Sequence, residues 1–507
     1  MRGKKLAAAL LGAVLLLGTF PATAFAEEPP QQQQEQQEHQ EAPQAQVPQI
    51  RVTTENGNGT TLEKADGYMN AKISITDPDG SVLEDDVSFK VRGNTTALSW
   101  VKKKAYTFKF AKKKELYGMG KGKKWVLLAN TFDPTLIRNH MAFDTARELG
   151  ITYTPGQKVT EVWVDGTFLG CYTLMTPVQE GKDRVDINIE NGKDFMVELE
   201  SINVEDDVTY FKEGGWRYAV KEPEEPDEEE AAYIQDTFAS VVKTLKNGTE
   251  AEIRDAIDVE SFAKFYTLNE YLKTFDFSMS SVFFYYKDGK LYAGPPWDYD
   301  ISAGNANKDI SARGKGTYEA EGLFCSDKNL YQLLCKKTWF NAEVKQVYEA
   351  HQAWFDNLGA DDGYTDTFRK TYADVIERNF KDAGWNIGKW WINHQRKPED
   401  NYEDNYQFLK DWCRRRSAWL DNYFAVKTFY RKGDADGNGV IDINDATVIQ
   451  QMVAELDIPF DELAPLRASV TGKALSIDDA TAVQYSAADL PDQYQVGEMQ
   501  LFEKEDD

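Results

Sequence analysis

Residues 294–300 read Gly-Pro-Pro-Trp-Asp-Tyr-Asp, and this stretch puts two carboxylates, Asp298 and Asp300, directly after a predicted β-hairpin. The hairpin spans residues 281–294, where two apolar runs flank Asp288-Gly289. An Asp-Gly pair between such runs is among the strongest short signals for a hairpin turn. The pattern therefore predicts two acidic side chains at the end of a strand.

A helical pattern of buried aromatic residues precedes the hairpin and ends at Asp276. We expect Asp276, Asp298 and Asp300 to frame one cleft. Two chemistries use carboxylates in this way. Phosphoryl transfer needs them to hold a divalent metal and to orient the accepting hydroxyl, whereas glycoside hydrolysis needs a facing pair. The order of helix, hairpin and acidic turn favours phosphoryl transfer, although the chain has neither the H-R-D motif nor the D-F-G motif of standard kinases.

The surrounding sequence predicts an α+β fold. In the first half, Tyr106, Phe108 and Phe110 alternate with polar residues as in a half-buried strand. A helix is predicted to begin at Asp133 and to end at Gly150. After an acidic, Pro-containing stretch at residues 221–231 the chain becomes mostly helical, so the large domain is expected to have a strand-rich N-terminal part and a helical C-terminal part.

Composition narrows the possible partners. The 84 acidic residues exceed the 58 basic residues and give a net charge of −26, which argues against binding of nucleic acid or of anionic membranes. Residues 1–26 resemble a cleavable export signal, with basic residues before an apolar run, and no later run is long enough to cross a membrane. Residues 27–49, rich in Gln and Pro, predict a disordered linker. Secretion is the expectation.

A calcium-binding loop is predicted at residues 434–445, Asp-Ala-Asp-Gly-Asn-Gly-Val-Ile-Asp-Ile-Asn-Asp. Oxygen ligands fall at loop positions 1, 3, 5 and 12, and Gly439 lies at the turn position. The predicted ligands are Asp434, Asp436, Asn438, Asp445, the carbonyl of Val440 and, through a water, Asp442. A second copy ends at Asp479, but Ala468, Val470 and Gly472 replace its acidic positions, so one Ca²⁺ is expected.

Several motifs, in order, resemble the CotH family of spore-coat-type secreted protein kinases. They are Val91-Arg-Gly-Asn-Thr-Thr96, the basic strand at residues 102–110, Trp125-Val-Leu-Leu-Ala-Asn130, Asp133 through Arg138-Asn139, Gly170-Cys-Tyr172 and residues 294–300 with Gly304-Asn305. The resemblance implies an atypical kinase-like, two-lobe domain. It also implies that the protein uses ATP with Mg²⁺ or Mn²⁺ to phosphorylate extracytoplasmic proteins.

The resemblance also implies roles for individual residues. Asp276 matches the catalytic-loop Asp, and Asp298 with Asp300 matches the metal-binding turn. The residues expected to bind nucleotide are Lys104, Lys109, Arg92 and Arg138, although the two arginines can instead be structural, each holding a turn or pairing with Asp133 or Asp144.

One position departs from the family pattern, because Thr176 stands where an acidic residue is common. The Lys–Glu pair that organises phosphate binding in kinases is then either absent or supplied by Glu180. A catalytically inactive binding or assembly subunit is therefore the main alternative, and a carbohydrate-active enzyme a weaker one.

The twinned loops resemble a type I-like dockerin, a small helical module that binds a cohesin domain on a cellulosome scaffold or cell surface. This resemblance implies cohesin contacts at the helix starts, Ile443, Asn444, Ile477 and Asp478. A calcium-stabilised cap on the large domain is the alternative. The expected organisation is a signal peptide (1–26), a linker (27–49), a CotH kinase-like domain (50–428), a dockerin (430–490) and an acidic tail (491–507). Cys325 and Cys335 either pair or stay reduced.

Overall fold

The computed structural model describes residues 46–309, 315–387, 391–457 and 459–504. The predicted signal peptide and most of the predicted linker lie outside these residues. The described chain is a mixed α/β structure with a sheet-rich N-terminal part and a helical C-terminal part. None of the described helices is long enough and apolar enough to span a membrane.

Seven strands close into a barrel in the order β1-β2-β3-β4-β5-β7-β6. Only the β1/β6 pair is parallel. The strands are β1 (Gln49–Thr54), β2 (Met69–Thr76), β3 (Val82–Arg92), β4 (Ala105–Glu115), β5 (Lys121–Leu128), β6 (Gln157–Val164) and β7 (Thr167–Met175). Tyr106, Phe108 and Phe110 are buried as predicted, while Lys109 on the opposite face of β4 is exposed. The alternation thus fills the barrel with aromatic side chains.

Helix α1 (Arg138–Glu148) connects β5 to β6 and begins five residues after the predicted start at Asp133. The Asp133 carboxylate accepts hydrogen bonds from the backbone N–H groups of Thr135 and Arg138 at 3.0 and 2.8 Å. Leu136 adopts a left-handed φ of 62°, so the chain turns once more before the helix can propagate. Gly150, with φ 66°, follows the helix end as predicted.

A second sheet has the order β12-β11-β8-β10-β9. Its strands are β8 (Phe195–Leu199), β9 (Tyr210–Glu213), β10 (Trp216–Glu222), β11 (Val282–Lys287) and β12 (Lys290–Ala293). Asp288 and Gly289 form the predicted turn between β11 and β12, both with positive φ. Because β8 lies between β10 and β11, residues distant in sequence meet on this sheet.

In the described part of the chain, nine further helices contribute side chains to, or pack against, the larger of the two main cores. They are α2 (Glu228–Asn247), α3 (Glu250–Ala256), α4 (Val259–Leu272), α5 (Tyr331–Leu334), α6 (Thr338–Ala350), α7 (Gln352–Gly359), α8 (Tyr364–Thr371), α9 (Ala373–Lys381) and α10 (Tyr402–Ala425). All four cysteines are free, so Cys325 and Cys335 form no bridge in this structure.

The C-terminal part begins and ends with a pair of antiparallel strands, β13 (Lys427–Arg431) and β14 (Met499–Glu503). Between them lie α11 (Ile443–Val453), α12 (Ala464–Ala468) and α13 (Ile477–Ala487), which enclose a small core of their own. Strand β14 falls within the segment that the sequence suggested as an acidic tail. Its pairing with β13 brings the end of the module back beside the end of α10.

Candidate functional site

Asp276 lies in a 3₁₀ turn, Phe275–Ser278, immediately after α4. The buried rings of Phe275 and Phe277 hold the turn against the core, and the Asp276 carbonyl accepts hydrogen bonds from Met279 and Ser280. The Asp276 side chain is only partly buried and has no hydrogen-bond donor among the described residues. Its carboxylate is therefore held in place by the backbone while its oxygens stay available.

Asp298 and Asp300 lie in the loop after β12 and flank the buried Tyr299. The Tyr299 N–H donates to Asn139 Oδ1 on α1 at 2.9 Å, and Asn305 Nδ2 donates to the Asp300 carbonyl at 2.7 Å. Asp298 has a left-handed φ of 63°, an uncommon conformation for a non-glycine residue. Backbone strain of this kind is often found at functional sites.

The three aspartates influence one another electrostatically. Burial raises the pKa of Asp276, and the charges of Asp298, Glu200 and Glu198 raise it further. Burial also raises the pKa of Asp300, with smaller contributions from Asp298 and Asp276. The pKa of Asp298 is raised by burial and partly lowered again by Arg92. Mutual repulsion among partly buried carboxylates is relieved when a cation binds between them.

Asp276, Asp298 and Asp300 form a looser group than a closed metal cage. In the described ranges, three acidic side chains bring their ligand atoms within 4.8 Å of one another only in the C-terminal part. Asp276, Asp298 and Asp300 do not come that close together. Mg²⁺ is usually held by one or two carboxylates together with substrate phosphates and not by a closed protein cage. A looser set of carboxylates, of which Asp276 and Asp298 accept no hydrogen bond from described residues, therefore suits Mg²⁺ or Mn²⁺ with a nucleotide.

Arg92 is the predicted nucleotide-binding residue that reaches the aspartates. It stands at the end of β3 with its guanidinium 4.9 Å from the centre of the Trp297 ring, and one of its terminal nitrogens (Nη1) has no hydrogen-bond partner among the described residues. Burial lowers the Arg92 pKa, and the charges of Asp298 and Glu198 offset part of that shift. A cation with an unused donor beside the acids is well placed for a phosphate oxygen.

The other three predicted nucleotide-binding residues lie apart from that contact. Buried Lys104 donates to the carbonyls of Ala97 and Leu98 at 2.9 and 2.7 Å and pairs with Glu63. Exposed Lys109 makes no ion pair with any described residue. The binding of phosphate by Lys104 and Lys109 stays a prediction.

Arg138 is fully buried and holds the aspartate loop in place. It forms an ion pair with Asp133 at 2.6 Å and donates to the carbonyls of Ser302 and Ala303 at 2.9 and 3.2 Å. This is the alternative pairing expected from the sequence. The guanidinium thus connects the first turn of α1 to the loop that carries Asp298 and Asp300.

Sequence reasoning missed an ion pair beside the aspartates, between Glu198 on β8 and Lys221 on β10, at 3.3 Å. A β-bulge falls at Lys221, because Val220 and Glu222 pair with adjacent residues of β8. Burial raises the pKa of Glu198, Lys221 opposes that shift, and Asp298 adds to it. The available signal was a single acid inside the apolar strand Phe-Met-Val-Glu-Leu.

The positions considered for a Lys–Glu pair in the sequence have other contacts. Thr176 accepts a hydrogen bond from the Gly156 N–H at 3.0 Å and lines a cavity of about 500 Å³ that none of the three aspartates lines. The Glu180 N–H donates to Glu222 at 2.9 Å. The Glu198–Lys221 pair is the one that neighbours Asp298.

The C-terminal part contains the tighter acidic cluster. Ligand oxygens of Asp434, Asp436 and Asp445 all lie within 4.8 Å of one another. The Asp434 carboxylate accepts a hydrogen bond from the Gly439 N–H at 3.0 Å, and burial raises the pKa values of Asp434 and Asp445. Oxygens converging within one short loop provide the donor set that Ca²⁺ prefers.

The second loop differs from the first at the corresponding place. Asp479 accepts hydrogen bonds from the Val470 and Thr471 N–H groups at 2.9 and 2.7 Å. Burial alone would raise the Asp479 pKa, but these and other backbone hydrogen bonds lower it overall. The predicted partner residues are exposed: Ile443 by 57%, Ile477 by 53%, and Asn444 and Asp478 likewise.

Comparison with known proteins agrees with the geometry of the larger site. The sequence profile of the family described as CotH kinase protein matches residues 89–420, which include all three aspartates, Arg92 and the Glu198–Lys221 pair. The chain belongs to the CotH kinase family. None of the curated proteins matches its sequence. The family match ends at residue 420, before β13, so the C-terminal part lies outside it.

Proposed function

We propose that this protein is a secreted CotH-family kinase that transfers the γ-phosphoryl group of ATP to hydroxyl groups of extracytoplasmic proteins. The observation that carries the proposal is the cluster of Asp276, Asp298 and Asp300, partly buried and with raised pKa values, next to the unpartnered guanidinium nitrogen of Arg92. Within a kinase family, acids and a cation in this arrangement suit a metal-bound triphosphate.

The residues divide the chemical work. Asp298 and Asp300 would hold Mg²⁺ or Mn²⁺, which supplies neutralisation of phosphate charge when bound. Asp276 accepts the proton of the substrate hydroxyl. The hydroxyl oxygen bonds to the γ-phosphorus while the bond from that phosphorus to ADP breaks and ADP leaves. A pKa above the usual carboxyl range makes Asp276 a better proton acceptor. Arg92 orients a phosphate oxygen through its unused N–H group.

A direct test is incorporation of labelled phosphate by the mature protein with ATP and Mn²⁺. The parent protein should label itself or an added substrate, and Asp276→Ala and Asp298→Ala should not. Asp236→Ala, which changes an exposed aspartate of α2, should behave like the parent. Absence of label from the parent, with nucleotide binding intact by calorimetry, would favour the alternative of an inactive binding subunit.

For the C-terminal part we propose a dockerin that binds one Ca²⁺ in its first loop and attaches the kinase to a cohesin on a cellulosome scaffold or cell surface. Support comes from the converging oxygens of Asp434, Asp436 and Asp445 and from the packing of α11 against α13. Asp442 and Ser476 begin these helices with equivalent reciprocal caps. Ile443 and Ile477, each the first residue of its helix, are both exposed.

Calcium-dependent capture on immobilised type I cohesin tests this second proposal. The double variant Asp434→Ala/Asp445→Ala should lose capture. Asp457→Ala, an exposed aspartate outside the loop, should retain it. Capture of the double variant at the parent level would exclude a role for the loop, and failure of the parent would favour a calcium-stabilised cap.

A further inference from the structure

The charge of the chain is unevenly distributed. The whole chain carries −26, yet residues 87–132 contain twelve Lys and Arg residues and one acidic residue, Glu115. This segment supplies β4, β5 and the second half of β3, whose first half carries Glu84, Asp85 and Asp86. Only Arg92 among its cations is used by the proposed chemistry. The remaining positive charge therefore needs its own explanation.

Five of these lysines form an exposed surface at the β4–β5 hairpin, which we name the basic hairpin: Lys109, Lys112, Lys113, Lys121 and Lys123. None of the five makes an ion pair or a side-chain hydrogen bond with any residue in the described ranges. Their neighbours are matched, since Lys114 pairs with Asp85 at 2.7 Å and Lys124 with Glu224 at 3.6 Å. Lys112 helps to lower the pKa of Asp85, so its charge is partly offset, and the other four lysines add positive surface charge to an acidic protein.

Strand register joins the basic hairpin to the aspartate site. Lys109 of β4 lies opposite Ser88 of β3, two residues from Lys90, which shares the outward face of β3 with Arg92. Lys90 also lacks an ion pair among the described residues, and its ammonium lies 4.5 Å from the centre of the Tyr68 ring. Side chains diagonal to each other on a sheet face are about 7 Å apart. One positive strip thus runs from Arg92 to the hairpin.

The length of this strip exceeds the needs of one nucleotide. Each residue of a strand advances the chain by about 3.3 Å, so Lys109 to Lys113 alone extends over about 13 Å. A duplex nucleic acid would extend beyond the strip, and the net charge of −26 disfavours its binding to the rest of the chain. A short acidic peptide segment matches both the length and the sign of the strip.

We infer that the basic hairpin docks an acidic segment of the protein substrate and so directs the neighbouring hydroxyl toward Asp276. The inference rests on the proposed kinase function and adds a substrate class, namely proteins whose accepting Ser, Thr or Tyr lies near a run of Asp or Glu. Exposed charges of one sign accelerate the association of such partners and make the affinity sensitive to salt.

A charge-removal variant tests the docking surface. The variant carries Lys112→Gln, Lys113→Gln, Lys121→Gln and Lys123→Gln, all at exposed positions where folding should be unaffected. The matched control carries Lys193→Gln, Lys212→Gln, Lys243→Gln and Lys246→Gln, four exposed lysines elsewhere. Fluorescence anisotropy follows a labelled Ser peptide flanked by Glu, and a second peptide with Gln in place of Glu.

The parent and the control should bind the Glu peptide, and the charge-removal variant should bind it roughly tenfold more weakly. Added salt should reduce this difference. Equal affinity of parent and variant, or no preference for the Glu peptide over the Gln peptide, would overturn the inference. Tighter binding of a single-stranded oligonucleotide than of the Glu peptide would overturn the assignment to a protein partner.

Phosphate transfer to the same peptides separates this inference from the proposed kinase activity. In an active kinase the charge-removal variant should raise the KM for the Glu peptide roughly tenfold and leave the KM for ATP unchanged. Peptide binding that depends on the basic hairpin without any transfer would support the docking surface and overturn the kinase activity. Transfer with unchanged peptide KM would overturn the docking surface alone.

Discussion

Two clusters of three aspartates in this protein are built in opposite ways. Asp434, Asp436 and Asp445 come from one short loop and bring ligand oxygens within 4.8 Å of one another. Asp276 comes from the end of α4, whereas Asp298 and Asp300 follow β12, and this cluster does not reach that closeness. The first arrangement can surround a cation almost alone, and the second leaves room for the oxygens of a substrate.

The two clusters also differ in the hydrogen bonds and charges that surround their carboxylates. The C-terminal loop donates backbone hydrogen bonds to its own carboxylates, as Gly439 does for Asp434 Oδ2, although Asp434 Oδ1 is buried without a partner among the described residues. In the larger site the carboxylates of Asp276 and Asp298 accept no hydrogen bond from described residues, and Glu198 adds further negative charge. A structural metal loop is stabilised locally. A site for chemistry keeps unsatisfied charge that only a ligand relieves, and the surrounding fold must hold it.

The largest expected effect separates the two clusters by activity. Asp276→Ala should reduce phosphate transfer by at least about a hundredfold, because it removes the proton acceptor. Asp434→Ala should leave transfer within about twofold of the parent value, because its loop lies outside the residues that match the CotH kinase family. Initial rates with saturating ATP measure both. Equal losses in the two variants would mean that the clusters act as one unit.

Calcium should act on the C-terminal cluster alone. Calcium at about a hundred times its Kd should stabilise the C-terminal part by about 2.7 kcal/mol, and chelation should remove that gain. Limited proteolysis with mass spectrometry should therefore show cleavage between β13 and β14 only after chelation. The double variant Asp434→Ala/Asp445→Ala should be cleaved there in both conditions. Protection that is independent of calcium in the parent would contradict a metal-binding loop.

The Glu198–Lys221 ion pair beside Asp298 should affect nucleotide binding specifically. If the Glu198–Lys221 pair organises phosphate binding as Lys–Glu pairs do in kinases, Lys221→Met should weaken ATP binding roughly tenfold. AMP binding should change much less, since AMP lacks the outer phosphates. Isothermal calorimetry with Mn²⁺ measures both, and Lys212→Met on neighbouring β9 is the control. Equal weakening for ATP and AMP would indicate a structural role for Lys221.

The smallest effect concerns pH and the metal-free state. Raised carboxyl pKa values mean that the folded protein holds protons which the unfolded chain releases. Above the raised pKa values the three partly buried negative charges lower the free energy of unfolding. As the pH falls through these values toward the ordinary carboxyl pKa, protonation removes the charges and the fold becomes more stable. Asp300→Asn should raise the metal-free Tm by roughly 2 °C at neutral pH and by less near pH 5.

Calorimetric melts in the presence of a chelator measure this difference. The comparison with Asp236→Asn, an exposed aspartate on α2, controls for net charge. A lower Tm for Asp300→Asn at neutral pH would contradict the prediction. It would show that favourable contacts of the Asp300 carboxylate outweigh its repulsion by the neighbouring carboxylates.

Local signals in the sequence were sufficient for much of the fold. The alternation of Tyr106, Phe108 and Phe110, the Asp288-Gly289 turn and the helix stop at Gly150 all depend on neighbours within a few residues, and the structure confirms each. The start of α1 was placed five residues too early. Asp133 does satisfy an N–H of the first turn, but the left-handed Leu136 lies between them, and no sequence signal marks that conformation.

The sequence by itself determined the family, the predicted calcium loop and the identity of the three candidate catalytic acids, because each depends on residue types at set spacings. Tertiary structure alone decided which basic groups accompany those acids. Arg92 reaches Asp298 while Arg138 is occupied by Asp133, and a β-bulge directs Lys221 to Glu198. Such choices depend on which strands become neighbours and on which face each side chain takes, and both result from packing the whole core.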